Sequence, residues 1–166
     1  LYHCSRICCM ASLKQTHYVV DAYEDANVTI YYIDIRAIDR FEDFYETVKG
    51  MDNVTFTKSK VANIVADRDG NPVCHGVDTE GYHRYANPHD LVVLATGMEP
   101  SVAKSDFPVD IVINREGFIE PDAANGGVFA AGSASDALDV NRAVQHATGA
   151  ALKAIQVVNR AAAAEA

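Results

Sequence analysis

What is scarce in this sequence limits what it can be. Lysine and arginine number 14 against 23 aspartates and glutamates, for a net charge of −9 and a pI near 5.0. So little positive charge gives no electrostatic hold on a nucleic-acid backbone or an anionic membrane, and nucleic acid is excluded as a partner. No apolar run approaches the ~20 residues that a membrane span needs. Cysteines and polar side chains occupy the first residues, where a signal peptide would carry its apolar core, so the expected setting is soluble and cytoplasmic. Leu1 stands where an initiator methionine would, and the sequence is expected to be part of a longer chain. There is no internal repeat. No Gly-x-Gly-x-x-Gly stretch occurs, so the main phosphate loop of any dinucleotide would lie upstream. His75, His83, His89 and His146 form no metal-type pair at i, i+4.

What is present points to a folded chain that carries chemistry. Its 166 residues are 49% hydrophobic, which argues against disorder. A chain of this length makes one domain or two small lobes and buries roughly 70% of its unfolded surface. Three of the four cysteines fall in the first nine residues, as Cys4-Ser5-Arg6-Ile7-Cys8-Cys9. Thiols this dense in a chain without a secretory signal are seldom a disulfide framework and suit a soft metal centre instead. On a regular helix Cys4 and Cys8 stand one turn apart, while Cys9 points ~100° away. A loop entering the helix is therefore needed to aim all three at one centre. The helix dipole and Arg6 favour thiolates there. An iron–sulfur cluster ranks first, then zinc or a redox dithiol, then inert thiols. An iron–sulfur site usually takes four thiolates, so Cys4, Cys8 and Cys9 leave one ligand to be found upstream. Cys74, alone in a hairpin, reads as a small half-buried residue.

Periodicity orders the elements. A helix is expected over 10–24, on Met10, Leu13, His17 and Val20. A buried strand follows at 28–33. A second helix covers about 40–49, with Phe41, Phe44, Tyr45 and Val48 on one face and Gly50 as its stop. A strand lies near 54–56. Segments 61–67 and 73–78 flank Arg68-Asp69-Gly70-Asn71 as a hairpin, which 82–85 extends into a meander. Beyond Pro88, the apolar run 91–95 reads as a strand covered on both faces, and 128–131 as a second buried strand. Residues 98–127 are loop-rich, with Pro100, Pro108, Pro121, Gly117, Gly126 and Gly127. A long helix runs from about 140 to 160, its apolar stripe on Val144, Ala147, Ala151, Ile155 and Val158. The fold class is α/β with an antiparallel excursion, divided near residue 86 into 1–86 and 87–166.

Two expected strand ends have the look of dinucleotide sites. Thr96 and Gly97 close the first, Gly132 and Ser133 the second. Glycine there lets a ligand approach the backbone, and ligands of open α/β sheets bind at the carboxyl ends of strands. The helix start at Asn141, Arg142 and Ala143 offers amides to a phosphate or ring carbonyl. Asp34, after the first strand, is equally an adenine-ribose ligand or a solvated strand end. His146 follows Arg142 by one turn.

Cys4 to Lys14, Val28 to Arg36, Leu91 to Met98, Gly127 to Gly132 and Ala134 to Gln145, in this order, resemble the flavoprotein family of the heterodisulfide reductase A-subunit. The likeness is strongest to its quinone-interacting branch, which serves membrane-bound oxidoreductases of sulfate respiration. It implies a thioredoxin-reductase-like architecture. Residues 1–86 would form part of the second, NAD-type nucleotide-binding lobe, and 87–166 the closing segment of the FAD-binding lobe. It also implies a [4Fe–4S] cluster on Cys4, Cys8 and Cys9, with a further cysteine upstream. Thr96, Gly97, Gly132, Asn141, Arg142 and Ala143 would lie near FAD. Ser133 replaces the aspartate that the wider family places after that glycine, so the aspartate's ribityl contact does not carry over. The implied function is electron transfer within an oxidoreductase complex, with other subunits as partners and membrane contact only through them. The alternatives are a zinc-binding or partner-docking module, and a pyridine nucleotide–disulfide reductase with a redox cysteine pair.

Overall fold

The structure is a computed structural model and describes residues 1–120 and 127–164. Pro121 and Gly126 lie outside the described residues. The chain divides into two compact units, one of residues 8–96, the other of 1–7 with 97–166. The sequence reading draws its line near 86. The last strand of the meander runs two residues further, to Pro88, and is paired along its length.

The unit 8–96 is built around a short parallel pair. Helix α1 (Ile7–Ala22) leads to strand β1 (Val28–Tyr32), helix α2 (Phe41–Lys49) and strand β2 (Val54–Lys58). β1 and β2 pair in parallel, from Val28 opposite Val54 to Tyr32 opposite Lys58. β-Branched and aromatic residues suit this pleated surface, and the connecting helix gives the chain room to return in the same direction. Leu13, Val48 and Val54 are buried together, with Met10, Val20, Ile30, Phe44, Tyr45 and Phe56 packed on them. The helical spacing of Met10, Leu13 and Val20 thus serves the core. His17, on the same stripe, sits at its edge, 2.8 Å from Asp21 and stacked on Phe44. Gly50 ends α2 with its N–H donated to Glu46 O at 3.0 Å.

Strands β3 (Asn63–Ala66), β4 (Pro72–Asp78) and β5 (His83–Pro88) form the expected meander, antiparallel and in chain order. Its turns are tied by carboxylates. Asp67 Oδ1 accepts N–H groups from Asp69 and Asn71, both at 2.9 Å, and Gly70 takes a φ of 91°. Asp78 Oδ1 accepts from Glu80 and Gly81, again at 2.9 Å. These backbone donors hold both carboxyl groups below the usual range.

The meander is joined to β1 by a polar cluster. Asn87 Nδ2 donates to the Tyr31 hydroxyl oxygen at 2.9 Å, and that hydroxyl lies 3.0 Å from His89 Nε2. The Tyr85 hydroxyl lies 2.7 Å from Ser59 Oγ, and its ring stacks on Tyr31 with centroids 5.2 Å apart. Burial raises the Tyr31 pKa above its ordinary value, partly offset by the bond from Asn87.

In the other unit, Asn114 turns the chain. Its side-chain oxygen accepts N–H groups from Glu116 and Phe118, and Gly117 takes a φ of 93°. Phe118, Ile119, Ala130 and Ala137 are buried. His3 Nε2 donates to Met98 O at 2.9 Å, and its ring meets Phe118 edge-on. A 3₁₀ turn over Gly132–Ala134 precedes helix α3 (Val140–Ala164).

Two expected strands are absent. Residues 91–95 and 128–131 have no regular structure, and Leu91, Val93 and Leu94 are 77%, 70% and 67% exposed. A strand exists only as far as a neighbour takes up its backbone hydrogen bonds. Among the described residues no strand pairs with either segment. The apolar run alone cannot supply one. Among the described residues the result is a mixed α/β arrangement with two small sheets.

Candidate functional site

The thiols lie around the head of α1. Cys4 is exposed in the segment 1–7, while Cys8 and Cys9, in the first turns of α1, belong to the unit 8–96. The helix starts at Ile7, three residues earlier than the expected 10, so Cys4 precedes it while Cys8 and Cys9 lie within it. Ser5 is buried and its Oγ accepts the Ile7 N–H at 3.3 Å. Arg6 adopts a left-handed backbone with φ of 60°, a conformation costing a non-glycine residue about 1–2 kcal/mol. Cys9 Sγ lies 3.9 Å from Asp34 O, just past the carboxyl end of β1. Asp34 is paired with Arg36 at 2.7 Å. Three thiols are the right donor chemistry for a soft metal. Among the described residues, however, no three His, Cys, Asp or Glu side chains stand together as a metal group. Cys74 is 1% exposed, and burial pushes its thiol pKa up, which keeps it protonated and unreactive.

The second set of candidate residues centres on the turn before α3. Gly132 takes a φ of 60°, and its carbonyl accepts the N–H groups of Ser135 and Asp136 at 3.1 and 3.3 Å. A Cβ at Gly132 would have the Ala143 Cβ, at 3.6 Å, as its one neighbour within 4 Å, so two small residues leave the backbone open beside the helix. That cradle fits a group that approaches the main chain closely. Asp139 caps α3, its Oδ1 accepting the Arg142 N–H at 2.9 Å and its carbonyl the Ala143 N–H at 2.8 Å. The Arg142 amide is therefore taken. Val140 and Asn141 are the first-turn residues whose amides have no intrahelical acceptor. Gly132, Ser133, Asn141, Arg142 and Ala143 are thus gathered at one helix start. Gly97 takes a φ of 87°, with the Leu1 side chain 3.2 Å from where its Cβ would be. Thr96 and Gly97 follow an irregular segment, not a strand end. Sequence reading missed Asp139 and Ser135. An aspartate three residues before Arg142 is a helix-cap signal that could have identified the first. Nothing local marks the second.

These features define an α/β protein with a thiol-bearing helix head and a glycine turn set against the start of a long helix. No protein-family model matches the chain. Over 94% of its length it is 36% identical to the A-subunit of the ferredoxin:CoB-CoM heterodisulfide reductase of Methanosarcina mazei. It is 35% identical, over the same share, to the A-subunit of the ferredoxin/F(420)H(2)-dependent CoB-CoM heterodisulfide reductase of Methanosarcina acetivorans. Over 92% of the chain, it is 32% identical to the first iron-sulfur A-subunit of the CoB–CoM heterodisulfide reductase of Methanopyrus kandleri. Along nearly its whole length the chain is thus similar to heterodisulfide reductase A-subunits. It spans about a fifth to a quarter of the length of these relatives, 21%, 21% and 25% respectively.

Proposed function

We propose that this chain is part of an FAD and iron–sulfur electron-transfer subunit of a heterodisulfide-reductase-like complex. The observation that carries the reading is the relatedness along nearly the whole chain to heterodisulfide reductase A-subunits, two relatives being named iron-sulfur subunits. Cys4, Cys8 and Cys9 are the thiol ligands this chain contributes to a [4Fe–4S] cluster, completed by a cysteine outside the sequence. Gly132, Ser133, Asn141, Arg142 and Ala143, with Thr96 and Gly97, are the residues that face FAD. FAD, when bound, exchanges electrons in pairs or singly, and the protein contributes binding, orientation and electrostatics. The turn at Gly132 presents main chain without a side chain in the way, and Ala143 keeps the facing helix surface low. No side chain of this chain need serve as general acid or base. Other subunits are the electron-transfer partners, with a heterodisulfide or a quinone as the ultimate reactant.

The test is anaerobic purification of the protein expressed from its complete reading frame, with iron, zinc and flavin analysis. The expected result is flavin bands over a broad visible iron–sulfur shoulder, with iron content reduced by Cys8→Ser. Colourless protein that holds zinc, or iron that is indifferent to Cys8→Ser, overturns the reading.

A further inference from the structure

His146 and Ser135 form a pair that the reading above does not use. Ser135 is buried, and its Oγ lies 3.0 Å from the Gly132 carbonyl oxygen and 2.9 Å from His146 Nδ1. The Ser135 hydroxyl donates its single proton to the Gly132 carbonyl. The Ser135 oxygen then accepts, and His146 Nδ1 has to carry the proton and donate it. This holds whether the imidazole is neutral or charged. The Gly132 carbonyl thereby collects three donors: the Ser135 and Asp136 amides and the Ser135 hydroxyl. His146 lies on α3, six residues past its first residue Val140, so the bond fastens the turn to the helix from outside the turn's own backbone. Ala134 O, accepting the Ile119 N–H at 2.9 Å, secures the same turn from its other side.

We infer that His146 is a positioning residue, which acts through Ser135 to hold the Gly132–Ser133 backbone against the head of α3 in the arrangement FAD requires. The inference rests on the FAD reading above. Without the imidazole donor, the Ser135 hydroxyl keeps its bond to Gly132, but the turn loses its tie to the helix. The cradle formed by Gly132 and Ala143 then loosens. The effect belongs to binding and flavin geometry, not to proton transfer.

The test uses the protein expressed from its complete reading frame, as wild type, His146→Ala, His146→Asn and Ser135→Ala. FAD affinity is measured by titrating the flavin-free protein with FAD. Visible circular dichroism reports the geometry of bound flavin, and hydrogen exchange reports the Ser135 and Asp136 amides. His146→Ala should speed exchange at those amides, alter the flavin dichroism and weaken FAD about three- to tenfold, the scale of one hydrogen bond. Ser135→Ala should act in the same direction. His146→Asn, whose amide can donate close to the Nδ1 position, should restore much of the affinity and the dichroism. Unchanged exchange at both amides in His146→Ala overturns the proposal. So does faster exchange with unchanged FAD affinity and dichroism, which reduces the pair to a structural contact. Wild-type protein that takes up no FAD overturns the FAD reading itself and the cofactor role with it. That failure is distinct, because it appears before any substitution is made.

Discussion

Asp67 and Asp78 do similar work at the two turns of the meander, each accepting backbone amides of the turn that follows it. For Asp67 the pKa is lowered below its ordinary 3.8, first by the Asn71 amide. A carboxyl group whose folded pKa is depressed adds stability above its unfolded pKa and loses it as pH falls through the folded value. Thermal melts of the wild type and Asp67→Asn, compared at neutral pH and in steps below 3.8, should therefore converge as the acid is reached. A constant gap across that range would show that the carboxylate charge contributes nothing. Cys74 has the opposite environment: its burial favours the neutral thiol, which separates it chemically from the thiols near α1. The sequence reads Cys74 as a small half-buried residue, and the structure buries it completely.

At the scale of elements, the meander depends on a glycine. Gly76 of β4 stands opposite Tyr85 of β5, and the tyrosine's hydroxyl end fills the space where a Cβ would be. That ring cannot swing away freely, being stacked on Tyr31 and bonded to Ser59. Gly76→Ala should destabilise the chain by about 1–3 kcal/mol through overpacking. Adding Tyr85→Phe should recover part of the loss, since the clashing hydroxyl is gone. Urea unfolding of the single and double variants measures this, and a neutral Gly76→Ala would refute it. The helices and most strands of the unit 8–96 were legible in the sequence because their signals are local: apolar spacing, β-branched runs and an Asp-Gly-Asn turn. The segments 91–95 and 128–131 were misread because an apolar run fixes neither burial nor pairing, both of which depend on a partner elsewhere in the chain.

For the whole molecule, those same segments matter again. Leu91, Val93 and Leu94 in one unit, and Val140, Val144, Ile155 and Val158 along α3 in the other, are all more than half exposed. Isolated exposed apolar residues are ordinary, but a contiguous run and a helix stripe are not. The 166-residue chain by itself should bind the dye ANS with a clear rise in fluorescence under native conditions, measured against a fully packed globular control. No rise would mean that these residues are covered in solution. Among the described residues no helix is long and apolar enough to cross a membrane.

The thiol cluster, the order of helices and strands in the unit 8–96, the meander and the long final helix follow from sequence alone, because each rests on residues within one or two turns of each other. So does the relatedness to the heterodisulfide reductase A-subunit, since it is carried by motifs in order. Tertiary structure decided the rest. It made Gly132 a left-handed turn facing Ala143 and brought His146 to Ser135 across 11 positions. It also withheld two strands that the hydrophobic pattern suggested. Each of these depends on which distant atom is available to accept a hydrogen bond or occupy a space, and local periodicity carries no record of that.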